Sequence, residues 1–144
     1  MSKTEYLEQL SIFIENRTGE LYSITSLLQK ENISLLSISL SDSSEFGILR
    51  LLTKDTKKAK ELLIKNGFMA QSNRVIGVRI TNQVGSFNKV VKIFNELGID
   101  IRYTYTVNEK NDGIFVFKIE ENRLEEAIIL LKKNSISTVG MEDL

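Results

Sequence analysis

Two short segments, residues 16–21 and 82–87, combine residue types that can bind a small zwitterion. Each has an Asn followed three residues later by a Gly, which stands directly before a predicted helix. Since Gly has no Cβ, its backbone can approach a ligand closely, and the first N–H groups of the helix can receive a carboxylate. The Asn side chain offers a donor and an acceptor for an ammonium group. These groups together suit a free α-amino acid, although the same pattern is also an ordinary way to leave a strand and begin a helix.

The two segments are copies of each other within a repeat. Asn16 matches Asn82 and Gly19 matches Gly85, at an offset of 66 residues (85 − 19 = 66). Further similar pairs keep this offset: Ile33 with Ile99, Leu35 with Ile101, Gly47 with Gly113, and Ile48 with Ile114. The chain is therefore predicted to be a duplication of a unit of about 70 residues, with one domain over residues 1–72 and a second over residues 73–144.

Hydrophobic periodicity predicts the elements that position these segments, in the order strand, helix, strand, strand, helix, strand. In the first unit we expect strands at residues 10–14, 34–41, 47–53 and 68–72, with Asp55 or Thr56 capping the second helix. The second unit starts a new strand near Val78, and Asn122 with Glu125 resembles a capping box for its last helix. This order predicts an α+β fold of two tandem ferredoxin-like βαββαβ units with antiparallel sheets. Residues 114–119 are apolar on both faces, so we expect both faces of that strand to be covered.

The composition excludes several classes of chemistry. The chain has no Cys and no His, which removes disulfides, thiolate and imidazole metal sites, Cys nucleophiles and Ser-His triads. We therefore predict no catalytic residues, no metal and no cofactor. Lys plus Arg and Asp plus Glu are 19 each, so the net charge is zero and a nucleic-acid partner is not expected. Without a signal pattern or a long apolar run, the sequence predicts a cytoplasmic protein with no membrane contact.

The two turn segments also resemble a known family motif. Asn-Arg-Thr-Gly-Glu-Leu at 16–21 and Asn-Gln-Val-Gly-Ser-Phe at 82–87 resemble the Asp/Asn-x-Pro-Gly-x-Leu motif that follows strand one in ACT domains. Residues 28–35 and 94–101 are similar to the helix end and the start of strand two in that family, and residues 45–50 and 101–105 resemble stand-alone tandem ACT proteins. Thr18 and Val84 occupy the usual proline positions, which predicts less rigid turns.

The resemblance implies a non-catalytic protein that regulates a partner in response to a free amino acid. In such proteins the ligand lies at the seam between two ACT units, between the strand-one turn of one and strand two of the other. The implied ligand-binding residues are Asn16, Arg17, Thr18, Gly19, Glu20, Leu21, Ser37, Ile38, Ser39, Asn82, Gln83, Val84, Gly85, Ser86, Phe87, Tyr103 and Tyr105. Because Ser37 and Ser39 are replaced by two tyrosines in the second unit, the two sites should differ. A homodimer and a regulated partner protein of unknown identity are also implied.

Three alternatives remain open on the sequence. An RNA-recognition module shares the βαββαβ order and uses aromatic residues on strand three, where this chain has Phe115 and Phe117. An enzyme using carboxylates or Lys could occupy the same fold. An interaction module without a ligand would be compatible with the missing prolines.

Overall fold

The computed structural model describes residues 5–15, 17–42, 45–107 and 113–144. It divides into two compact units. The N-terminal unit comprises Glu8–Asn73, and the C-terminal unit comprises Arg74–Leu144 together with residues 5–7.

The N-terminal unit follows the predicted order of elements, with the bounds β1 (Leu7–Glu15), α1 (Glu20–Lys30), β2 (Leu35–Asp42), β3 (Phe46–Thr53), α2 (Thr56–Lys65) and the first residues of β4 (Met69–Ile80). β3 lies between β1 and β2 and is antiparallel to both. Leu10, Ile12 and Ile14 alternate along β1 and are buried against residues of α1 and α2, as the period-two pattern predicts.

The ends of the helices in this unit are set by side-chain and backbone chemistry. The Asp55 carboxylate accepts a hydrogen bond from the backbone N–H of Lys58 (3.1 Å), so Asp55 is the cap of α2, one of the two residues predicted for it. Gly67 follows α2 with a φ of 87°, a left-handed conformation that favours glycine. The chain then enters β4.

The C-terminal unit repeats the fold, with the second part of β4, α3 (Ser86–Glu96), β5 (Tyr103–Val107), β6 (Gly113–Lys118), α4 (Leu124–Lys133) and β7 (Thr138–Val139). Its strands are antiparallel in the order β7-β4-β6-β5. The predicted apolar stripe of α4 is buried: Leu124, Ala127, Ile128 and Leu131. Ile114 and Val116 are fully buried on the sheet face opposite Phe117, which confirms that both faces of β6 are covered.

Two predicted details are wrong. The strand predicted at residues 68–72 and the strand near Val78 form one continuous strand, β4, of 12 residues. Polar residues in its middle are held extended by partners distant in sequence. Asn73 Oδ1 accepts a hydrogen bond from Ser11 Oγ (2.8 Å), and the backbone N–H of Arg74 donates to Glu121 Oε1 (3.0 Å). That bond from Arg74 also holds the pKa of the Glu121 carboxyl below its ordinary value.

The second error concerns the start of α4. A 3₁₀ turn over Glu121–Arg123 leads into the helix, and Arg123 rather than Asn122 occupies the capping position. The guanidinium of Arg123 donates to the backbone carbonyl of Leu97 (2.8 Å). The start of α4 is therefore held by two hydrogen bonds to distant residues, from Arg123 to the end of α3 and from β4 to Glu121. These bonds replace the predicted capping box of Asn122 and Glu125.

Candidate functional site

The turn between β1 and α1 has the geometry expected of the first motif. Gly19, directly before α1, has a φ of 93°, and the backbone N–H of Arg17 donates to the carbonyl of Glu15 (2.7 Å). The second motif forms the same turn, with a φ of 88° at Gly85. A Cβ added at either glycine would meet no described atom within 4 Å. Both glycines are therefore required by backbone conformation, and both face open space.

The charges at the first turn are arranged around Arg17. Its guanidinium forms ion pairs of 2.9 Å with both Glu15 and Glu20. One cation thus sits between two carboxylates, and the cluster carries a net charge of −1. Asn16, which was also predicted to bind ligand, lies outside the described residues.

A cavity of about 360 Å³ lies between this turn and the end of β2. Its lining includes four of the predicted residues, Arg17, Gly19, Glu20 and Leu21. The other lining residues come from the ends of β1, β2 and β3: Ile14, Glu15, Leu40, Ser41, Asp42 and Gly47. The contribution of β2 is thus Leu40–Asp42, whereas the predicted Ser37, Ile38 and Ser39 precede it on the same strand.

The register of the sheet explains why the end of β2, rather than its middle, meets the turn. β1 and β2 are both antiparallel to β3, so they run in the same direction and end at the same edge. Gly47 stands opposite Ile14 on one side and opposite Asp42 on the other. The residues at the end of β2 can be found in the sequence by counting back along the hairpin from Gly47. The turn motif alone does not give the register of β2 on β3.

A second cavity, of about 590 Å³, lies on the other side of the same turn, towards the end of α2. It is lined by Phe13, Ile14, Glu15, Arg17, Thr18, Gly19, Glu20, Ser23, Phe46, Asn66, Gly67, Phe68 and Met69. Phe13 and Phe46 pack with ring centroids 5.5 Å apart. The predicted residue Thr18 therefore faces this aromatic cavity.

The predicted residues of the C-terminal unit do not gather in one place. Gln83 and Ser86 line a cavity of about 350 Å³ beside α3. Val84 is fully exposed, whereas Phe87 packs against Phe115 with ring centroids 5.1 Å apart. Asn82 is exposed and Gly85 forms the turn.

Tyr103 and Tyr105 lie on β5, on the sheet face opposite that core. Their rings stack 6.4 Å apart, and Tyr105 stands opposite Val116 of β6. The two strand-one turns are thus alike in backbone but have different side-chain surroundings.

The aromatic residues of β6 bear on the RNA-recognition alternative. Phe117 is fully buried against Phe94 of α3, and Phe115 packs on the same core. An RNA-recognition sheet needs its aromatic rings exposed for base stacking. Phe115 and Phe117 instead serve the core of the C-terminal unit.

Two other features are absent from the described residues. No described helix has the length and apolarity to span a membrane. Within the same ranges, no group of three or more His, Cys, Asp or Glu side chains could hold a metal ion.

Solved structures share the fold. Protein BT0572 from Bacteroides thetaiotaomicron is similar with a TM-score of 0.87 and 31% identity, over 96% of this chain and 94% of that one. The ligand-free regulatory subunit of aspartate kinase from Thermus thermophilus has a TM-score of 0.62 at 14% identity, with coverage of 90% and 92%. The corresponding subunit from Thermus flavus has a TM-score of 0.61 at 19% identity, with coverage of 88% and 90%. No curated protein matches the chain.

The family comparison agrees with the two-unit fold. A family described as an ACT domain pair matches residues 5–144, which span both units and both turn motifs. The resemblance found in the turns and the ferredoxin-like fold are therefore confirmed, and the chain belongs to the family of ACT domain pairs.

Proposed function

We propose that this protein is a non-catalytic sensor that binds a free amino acid at the turn of its N-terminal unit and regulates a partner protein. The observation that carries the proposal is the cavity of about 360 Å³ between the Gly19 turn and the end of β2. Regulatory subunits are among the proteins that share the fold, which supports a regulatory role.

The lining of that cavity suits the three parts of an amino acid. The first N–H groups of α1 start directly after Gly19 and can receive the α-carboxylate. The carboxylates of Glu15 and Asp42 can accept the ammonium group. Leu21 and Leu40 offer apolar surface to the side chain, so an aliphatic amino acid fits better than a charged one.

The edge of β2 supports a homodimer, in which a second copy would supply strand two to the site. β2 lies at an end of the strand order. Ile38 and Leu40 stand opposite core residues of β3, yet they are 47% and 50% exposed. An apolar strand edge of this kind is a template for pairing with another strand, and pairing two β2 strands would close with twofold symmetry. The seam would then lie between N-terminal units of two chains.

Replacing Ile38 with Asp should dissociate this dimer. Two carboxylates brought together across a twofold axis should raise the dissociation constant at least about a hundredfold. Sedimentation equilibrium measures the effect directly. Ile64→Asp is a matched control, because Ile64 is 52% exposed on α2, away from β2, and this variant should remain dimeric. A monomeric wild-type protein, or a dimeric Ile38→Asp variant, would contradict pairing through β2.

The ligand is identified by a thermal-shift screen of the purified protein against the twenty amino acids. A ligand at a hundred times its dissociation constant stabilises the folded state by about 2.7 kcal/mol, which should raise Tm by roughly 5–10 °C. One clear responder supports the sensor and names its ligand. A flat screen at millimolar concentrations would contradict it and favour an interaction module that acts without a ligand.

A further inference from the structure

The apolar end of the cavity of about 360 Å³ lies beside Gly47, on the helix side of the sheet. Gly47 precedes Leu49 by two residues on β3, and Leu49 is buried in the core with residues of α1 and α2. A Cβ at Gly47 would lie 3.2 Å from Ile14 Cγ1 and 3.4 Å from Leu40 Cδ1. Leu21, the second residue of α1, lines the same cavity. Three branched aliphatic side chains therefore border this end of the cavity.

The C-terminal unit has the same strand register at this place. Gly47 stands opposite Ile14 on β1, and Gly113 stands opposite Ile80 on β4, with both residues shifted by 66 positions. The helices α1 and α3 also begin 66 residues apart (86 − 20 = 66). The apolar end of the cavity can therefore be compared with its counterpart position by position.

Aromatic rings fill that counterpart in the C-terminal unit. A Cβ at Gly113 would lie 3.1 Å from Cε2 of Phe115, so the Phe115 ring lies directly over this glycine. Phe87 packs on Phe115 with ring centroids 5.1 Å apart and on Phe117 with ring centroids 5.7 Å apart. The place that a ligand side chain would take in the N-terminal unit is therefore covered here by the protein's own rings.

The N-terminal unit has a leucine wherever the C-terminal unit has one of these rings. Phe94 belongs to the same ring cluster, with its centroid 5.2 Å from that of Phe117. At the offset of 66, the four phenylalanines are replaced by smaller side chains: Leu21 for Phe87, Leu28 for Phe94, Leu49 for Phe115 and Leu51 for Phe117. The loss of the rings leaves room between α1 and the end of β2, which is where the cavity lies.

Of these four leucines, Leu21 is the one that lines the cavity. Leu28, Leu49 and Leu51 are buried in the core. Leu21 is 37% exposed and its counterpart Phe87 is 38% exposed, so the two side chains have equivalent places at the start of their helices. A ring at position 21 would therefore extend over the apolar end of the cavity, as the ring of Phe87 does in the other unit.

We propose that Leu21 determines which amino acid the N-terminal site accepts, and that the ligand is a branched aliphatic amino acid. This inference rests on the proposed amino-acid site and adds its specificity. A compact branched side chain matches the aliphatic wall of Ile14, Leu21 and Leu40, and a pocket of this kind discriminates by size, about tenfold or more for one methylene group. Because Phe87 and Phe115 close the counterpart, the chain binds one amino acid and not two.

The first test is isothermal titration calorimetry of the full chain with valine, leucine, isoleucine and phenylalanine. Leu21→Phe should weaken binding of the tightest aliphatic ligand about thirtyfold, because the ring takes the place of the ligand side chain. The fold should be kept, since phenylalanine occupies the same helix position in the C-terminal unit. Phe87→Leu is the matched control with the reverse exchange. It removes ring contacts outside the cavity, so it should lower Tm and leave affinity unchanged.

Leu21→Ala supplies a second test that adds space instead of filling it. The shorter side chain should weaken binding of the aliphatic ligand and strengthen binding of phenylalanine. The ratio of the two affinities should therefore change at least about tenfold in favour of phenylalanine. Leu21 is partly exposed, so this substitution should leave the protein folded.

The outcomes separate this inference from the proposed function. One ligand per chain, weak binding in Leu21→Phe and normal binding in Phe87→Leu support it. Two ligands per chain, equal losses in Leu21→Phe and Phe87→Leu, or an unchanged preference in Leu21→Ala would overturn it. A wild-type protein that prefers an amino acid other than valine, leucine or isoleucine would overturn this inference alone, whereas a protein that binds none of the twenty would contradict the sensor as well.

Discussion

Replacing Gly19 with Val should reduce the affinity for the amino acid by about a hundredfold, while the fold is kept. Gly19 has a φ of 93°, a conformation that costs an L-residue roughly 1–2 kcal/mol and is worse for a β-branched side chain. The turn should relax and move the first N–H groups of α1 away from the ligand carboxylate. Misplacement by about 1 Å is enough for a loss of this size. Isothermal titration calorimetry with the amino acid that responds in the screen measures the change.

Gly98→Val is the matched control for backbone strain. Gly98 has a φ of 65°, a Cβ there would meet no described atom within 4 Å, and it follows α3 in the C-terminal unit and is not one of the residues that line the cavity of the N-terminal unit. The variant should lose stability as Gly19→Val does, yet bind the amino acid normally.

Gly85→Val then tests the other turn. If Gly85→Val abolished binding and Gly19→Val did not, the site would belong to the C-terminal unit.

Local patterns predicted most of the fold because each depends on neighbours in sequence. The alternation of Leu10, Ile12 and Ile14 fixes which face of β1 is buried, and it does so without knowledge of any partner strand. The glycines at the helix ends are equally local, since a positive φ excludes other residues on steric grounds alone. For the same reason, Asp55 could be predicted as a cap of α2 from its position before a run of helical residues.

The features that sequence reasoning missed depend on contacts between distant residues. The sequence predicts that one unit ends at Ser72 and the next begins at Asn73, but Ser11 and Glu121 bind the polar groups on either side of the unit boundary and keep β4 continuous. In the same way, the motif identified the Gly19 turn but not Asp42, which reaches the cavity only through the register of β2 on β3. A motif therefore identifies only one side of a candidate site, because the residues on the other side come from another strand.

Duplication limits prediction in a second way. A repeat shows that two turns share a backbone, and both turns here do. It does not show that they share a ligand, because the neighbouring side chains have diverged. Arg17 is held between two carboxylates in the first unit, whereas the cavity at the second turn is lined by Arg79 and Lys89. The ligand that each unit can bind therefore depends on the side chains that line the cavity of that unit.

Replacing Gly77 with Ala should destabilise the C-terminal unit by about 2 kcal/mol and lower Tm by roughly 10 °C. Gly77 is buried in β4, opposite Val139 of β7. A Cβ there would lie 2.6 Å from Leu7 Cδ1 and 2.7 Å from Val139 Cγ2, both of them buried side chains. Because φ at Gly77 is not positive, the loss of stability comes from steric crowding and not from backbone strain. Differential scanning calorimetry of the full chain measures it.

A double-mutant cycle with Leu7→Ala distinguishes crowding from a general weakness of the strand. In the wild type, Leu7→Ala opens a cavity and should cost about 3 kcal/mol. In the Gly77→Ala background the same change also removes the clash, so its cost should fall by at least about 1 kcal/mol. Equal costs in both backgrounds would show that Leu7 moves aside freely. In that case, the packing of Leu7 against β4 within the C-terminal unit would not depend on the absence of a side chain at Gly77.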